Sequence, residues 1–150
     1  MTSATSPRKI LVPLDSSSEH NRSRFFDFVE QQALSGDASI VFLTVVPELF
    51  MSTVTDPEGM IETMIKHATH EQAAMLSQRW PDLPSDQRLV RYGPVAGTII
   101  DTAEEISADL IVMRARRPGV ASYALGSVAS RVVNHAQASV LVIRNDGASE

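Results

Sequence analysis

Three arginines, Arg114, Arg116 and Arg117, stand just ahead of a Gly126–Ser127 pair in the segment MRARRPGVASYALGSVASRVVNHAQASVLVIR. Guanidinium forks pair with phosphate through two parallel hydrogen bonds. A Gly-Ser pair at the mouth of a helix offers free backbone N–H groups and the positive end of the helix dipole. The chemistry suggested is the holding of a phosphate-class anion. Two plainer readings stand beside it. Serine is a common helix cap, so Gly-Ser can simply start a helix. The arginines can equally belong to a solvated loop that pairs with surface acids, in which Pro118 keeps Arg117 extended.

Asp15, in KILVPLD, closes the first strongly apolar run. Open α/β sheets bind ligands outside the carboxyl ends of their strands. A carboxylate there would accept hydrogen bonds from ribose hydroxyls or an adenine amino group; it would equally cap the helix that follows. His67, His70 and Glu71 in HATHE share a helix face. Their order is not the H-E-x-x-H of zinc proteases, and a solvated face is the expectation. Several machineries are absent from the sequence: a Walker loop, a GxGxxG after the first strand, and a GxSxG elbow. With no cysteine, there is neither a thiol nucleophile nor a disulfide. No catalytic residue and no metal site is assigned.

The elements that must position these groups are legible as alternating runs. KILVPLD, ASIVFLTVV (residues 38–46), QRLVRY (residues 87–92), DLIVMRA (residues 109–115) and SVLVIR (residues 139–144) read as strands. Most are continuously apolar, as strands covered on both faces are. Between them lie helical patterns: Phe25, Phe26 and Val29, with a capping-box pair at Ser16 and Glu19; Met60 to Met75 within residues 58–79; Ala96 to Ile106; and residues 126–136. The order βαβαβαβαβ builds a parallel sheet flanked by helices, with right-handed crossovers.

At 150 residues the chain is expected to form one domain, residues 1–150, with an ordered core at about 8–145. A net charge of −5 argues against general nucleic-acid binding. No apolar run approaches the roughly 20 residues of a membrane span. The start, MTSATSPRK, has no apolar stretch of the secretory kind, so a cytoplasmic location is expected.

ILVPLD, FLTVV, YGPVAGTII and YALGSVASRVVNHAQASVLVIR together resemble the universal stress protein family, over Lys9 to Arg144. The resemblance implies an α/β fold: a doubly wound five-stranded parallel sheet of order 3-2-1-4-5 with helices on both faces. It also implies a homodimer through the last strand, from Ser139 to Arg144. ATP-binding members carry G-x2-G-x9-G-[ST] between the fourth strand and the fourth helix. Counting back from Gly126 by that spacing gives Arg116 and Met113, neither of them glycine. The loop ARRPGVASYALGS instead resembles a subgroup reading S-H-R-P…Y-x-L-G-S, whose members are also associated with adenine nucleotides. Carried over, Pro13, Leu14 and Asp15 meet the ribose or adenine end, and the backbone of Val45 reads the adenine edge. Met113, Ala115, Arg116 and Arg117 form the altered loop region, and Gly126, Ser127 and Val128 hold phosphates. The expected function is a stress-response or regulatory switch binding ATP, or AMP or ADP, with Mg accompanying the phosphates. Slow hydrolysis or autophosphorylation is the most catalysis implied. The alternative is a nucleotide-independent dimeric interaction module, for example one regulating a membrane transporter.

Overall fold

The computed structural model describes residues 8–14, 22–48, 54–115 and 125–144. The five apolar runs become β1 (Lys9–Leu14), β2 (Ser39–Pro47), β3 (Arg88–Gly93), β4 (Leu110–Arg114) and β5 (Ser139–Ile143). The helical patterns become α1 (Arg22–Gly36), α2 (Pro57–Leu76), α3 (Val95–Glu105) and α4 (Ser127–His135). The Ser16–Glu19 capping pair lies outside the described residues.

All strand pairings are parallel and the sheet order is β3-β2-β1-β4-β5, as the resemblance implied. Both faces are covered, which is why the strands read as unbroken apolar runs rather than alternating ones. On one face Ile10, Val12, Ile40, Phe42 and Val112 pack against Phe25, Phe26 and Val29 of α1 and Leu76 of α2. On the other, Leu11, Leu43, Ile111 and Met113 meet Ala96, Ile99 and Ala103 of α3 and Ala129 and Val132 of α4. Trp80 closes the first layer: its ring sits edge-on to Phe26 with centroids 5.0 Å apart, and 4.8 Å from Phe42.

α2 is shorter than the helical pattern of residues 58–79. Its start is set by Asp56, whose side chain accepts from the Gly59 N–H at 3.1 Å, with Pro57 in the first turn. It ends at Leu76, whose carbonyl accepts from both Arg79 N–H and Trp80 N–H, turning the chain so that the indole reaches the core. The buried Gln72 fixes how α2 sits: its Nε2 donates to Thr44 Oγ1 and to the Leu89 carbonyl, each at 3.0 Å. A polar side chain in that position holds the helix against both β2 and β3.

Two matching turns hook the neighbouring strands onto β1. After α1, Ala38 N–H reaches the Ala33 carbonyl at 2.9 Å; after α3, Ala108 N–H reaches the Ala103 carbonyl at 2.9 Å. These are Schellman closures, and the residue each needs in the left-handed region is Asp37 (φ 52°) or Ser107 (φ 57°) rather than glycine. Ser39 N–H then donates to the Arg8 carbonyl and Asp109 N–H to the Lys9 carbonyl, both at 2.8 Å. The strands on the two sides of β1 are thus set in register from the same end.

Candidate nucleotide-binding crevice

In this sheet the chain leaves β1 towards β2 on one side and reaches β4 by a long crossover on the other. The reversal of strand order falls between β1 and β4, and the crevice outside their carboxyl ends is where a ligand fits such a sheet. Pro13 and Leu14 end β1 there, and Met113 and Arg114 end β4, with Ala115 the next residue.

Leu14 and Met113 are buried, in the first and second layers of the core respectively. What they present at the crevice is therefore backbone. Pro13 is half-buried within β1. Val45 is half-buried in β2, one residue past the Leu14↔Thr44 pair that ends the β1–β2 ladder, and it pairs with Arg91 on its other side. Asp15, Arg116 and Arg117 lie outside the described residues.

The mouth of α4 has an unusual cap. Gly126, not Ser127, is the residue before the helix, with extended geometry (φ −65°, ψ 167°) and no side-chain cap. Ser127 is the first helical residue and is exposed. The Gly126 carbonyl accepts the first helical bond, from Ser130 N–H at 2.9 Å, and the Gly126 N–H is already used, donating to the Ala115 carbonyl at 3.3 Å. Of the three residues expected to hold phosphate, Gly126 therefore offers no free amide. The free set is displaced by one, to Ser127, Val128 and Ala129, whose N–H groups have no partner among the described residues. Ala129 was not singled out from the sequence; the signal was available in the rule that the first three helical residues have free amides.

Ala115 is the pin of this end of the molecule. It is buried, its N–H donates to the Ile143 carbonyl of β5 at 3.0 Å, and its carbonyl holds Gly126. The ends of the segment between Ala115 and Gly126 are thereby held together, and the mouth of α4 is fixed beside the end of β4.

Elsewhere, Arg91 on β3 makes a two-pronged ion pair with Glu105 at the end of α3, at 2.6 and 3.1 Å, and a third bond to the buried Thr102 Oγ1 at 3.1 Å. The hydrogen bond to Glu105 raises the guanidinium pKa further, and the guanidinium holds the Glu105 carboxyl below its ordinary value. His67 and Glu71 form an exposed pair at 3.1 Å on α2. Among the described residues no group of three metal-ligating side chains gathers, and no helix is long and apolar enough to cross a membrane.

A sequence model of the universal stress protein family matches residues 7–144. The chain is 30% identical over 125 residues to universal stress protein G of Salmonella typhimurium, a match covering 81% of this chain and 85% of that one. With universal stress protein G of Shigella flexneri it is 33% identical over 89 residues, 59% of this chain; the chain spans about half, 55%, of that relative's length. Among solved structures it is similar to universal stress protein UspA from Lactobacillus plantarum, with 29% identity, a TM-score of 0.72, and coverage of 91% of this chain and 97% of that one.

Proposed function

Since the chain belongs to the universal stress protein family, we propose that it binds an adenine nucleotide, ATP or its di- or monophosphate, outside the carboxyl ends of β1 and β4. It acts as a stress-response or regulatory switch in the cytoplasm, the nucleotide serving as a ligand that shifts the protein between states. The observation that carries this reading is the uncapped mouth of α4. Its glycine cap leaves the Ser127, Val128 and Ala129 amides without a partner among the described residues, beside the end of β4 and next to the reversal of strand order. Three aligned donors at a helix N-terminus suit a phosphate group without any basic side chain. Asp15, Arg116 and Arg117 are the sequence's further candidates for ribose and phosphate, and magnesium would accompany the phosphates. No residue is assigned a catalytic step. Titration with Mg-ATP by calorimetry tests the reading: saturable binding supports it, and no heat at millimolar ATP with the fold intact overturns it.

A second reading has its own observation. β5 ends the sheet, and four of its five residues, Val140, Leu141, Val142 and Ile143, are half-buried and apolar. Edge strands usually carry charge that discourages pairing. The opposite edge, β3, does so with Arg88 and Arg91. β5 is the edge suited to a second copy of the chain, giving a dimeric module that works through partners, a membrane transporter among them. Dimer formation together with complete indifference to ATP would favour this module over the nucleotide switch.

A further inference from the structure

All the peroxide-reactive sulfur of this chain is methionine: it has six, and no cysteine. Met1 and Met51 lie outside the described residues. The other four stand in different settings. Met113 is buried in β4, at 5% exposure. Met75, near the end of α2, packs against the first layer of the core. Met60 and Met64 belong to neither layer. Met60 is 42% exposed and Met64 is half-buried. Four residues apart on α2, the two share one helix face.

Where α2 is anchored explains their setting. Gln72 reaches Thr44 of β2, so these two residues stand level. Beyond Thr44 the strand runs only to Pro47, about 10 Å. From Gln72 the helix extends back to Pro57, about 22 Å. The crossover carries the chain from the end of β2 to the start of the parallel strand β3, so α2 runs against the strands. Its first half therefore stands past the carboxyl end of the sheet. Burial agrees: Ala68, Gln72 and Leu76 are buried, whereas none of residues 57–67 is. Met60, Ile61, Met64 and Ile65 nonetheless continue the stripe of Ala68, Gln72 and Leu76. A helix segment seated by half-exposed apolar side chains opens at low cost.

We propose that Met60 and Met64 form a reversible oxidation site, and that their sulfoxides release the first half of α2 from the fold. The oxidant is a peroxide. With hydrogen peroxide, the thioether sulfur attacks one oxygen, the O–O bond breaks and an S–O bond forms. Sulfur is oxidised by two electrons, and the second oxygen leaves as water with both protons. A thiol-dependent sulfoxide reductase reverses the step, oxidising two thiols to a disulfide and releasing the oxygen as water. The sulfoxide is polar where the thioether was apolar, so the change falls on the stripe that seats the helix. The chain has no thiol to take the oxidant first. The site rests on exposure and packing alone and is independent of nucleotide binding.

The test is limited treatment of the full chain with hydrogen peroxide. Peptide mass spectrometry follows each methionine, and hydrogen exchange follows the backbone amides. Sulfoxide should form several times faster at Met60 and Met64 than at Met75 and Met113. Amides across residues 57–67 should then exchange roughly tenfold faster or more, with those of β1 and β2 unchanged. Treatment with a methionine sulfoxide reductase should restore slow exchange. A double variant, Met60→Leu with Met64→Leu, keeps volume, apolar character and helix preference, and it should not loosen under peroxide. Oxidation of Met60 or Met64 no faster than of Met75 and Met113 overturns the proposal. So does unchanged exchange across residues 57–67 in the oxidised protein. Equal loosening of the double variant also overturns it, because the effect then belongs to another methionine.

Discussion

The amide donors at the mouth of α4 can be reduced by one without disturbing the helix. Ser127 is the first helical residue, a position where proline is favoured because its N–H has no helical partner. The residue before a proline must be extended, and Gly126 already is, at φ −65° and ψ 167°. Ser127→Pro therefore fits the existing backbone and deletes one N–H together with the hydroxyl. By restricting the unfolded chain it should leave stability unchanged or raise it by about 0.4–1 kcal/mol. A hydrogen bond to a charged group contributes about 1.5–3 kcal/mol. At about 1.4 kcal/mol per tenfold, losing one such bond to a phosphate oxygen weakens binding roughly ten- to a hundred-fold. Ser127→Ala removes the hydroxyl and keeps the amide, so the difference between the two variants isolates the N–H. The assay is calorimetric titration with Mg-ATP, with thermal melting run alongside. Parent-like affinity in Ser127→Pro, with α4 intact, would refute the assignment of phosphate to these amides.

Three further outcomes follow from local geometry. Ser107→Gly should raise stability by about 1 kcal/mol in urea melts, because Ser107 sits at φ 57°, where a side chain is strained and glycine is not. Gly93→Ala should destabilise by about 1–3 kcal/mol by the same assay: Gly93 has φ 155°, and an added Cβ would stand 2.8 Å from Thr98 Oγ1. The Glu105 carboxyl, held below its ordinary 4.5 by Arg91, contributes stability that is present above that value and is lost as pH falls through the lowered one. Melting temperature measured down through pH 4.5 should consequently fall less steeply in Glu105→Gln than in the parent.

The strands were legible in the sequence because a doubly covered parallel sheet leaves continuous apolar runs, and the five runs fall within a residue or so of the five strands. The order of those strands was not legible from periodicity, which is silent on neighbours; it came from the resemblance carried by the closing segment. Gly126–Ser127 marked the start of α4, but the pair reads equally well with either residue as the cap. The structure makes glycine the cap, and this moves the amides that lack a partner among the described residues one residue along the helix. The Schellman turns were hidden because Asp37 and Ser107 stand where glycine would have announced them. The Arg91–Glu105 pair joins residues fourteen apart across a strand-to-helix turn, beyond any helix-face or capping pattern.

Amide chemical shifts of the isotopically labelled protein, followed as Mg-ATP is added, test the nucleotide site most directly. The account predicts large, saturable shifts at Ser127, Val128 and Ala129 together with the ends of β1 and β4, and little change along the exposed face of α2. Shifts absent from the mouth of α4 at saturating nucleotide, or confined to another surface, would contradict it.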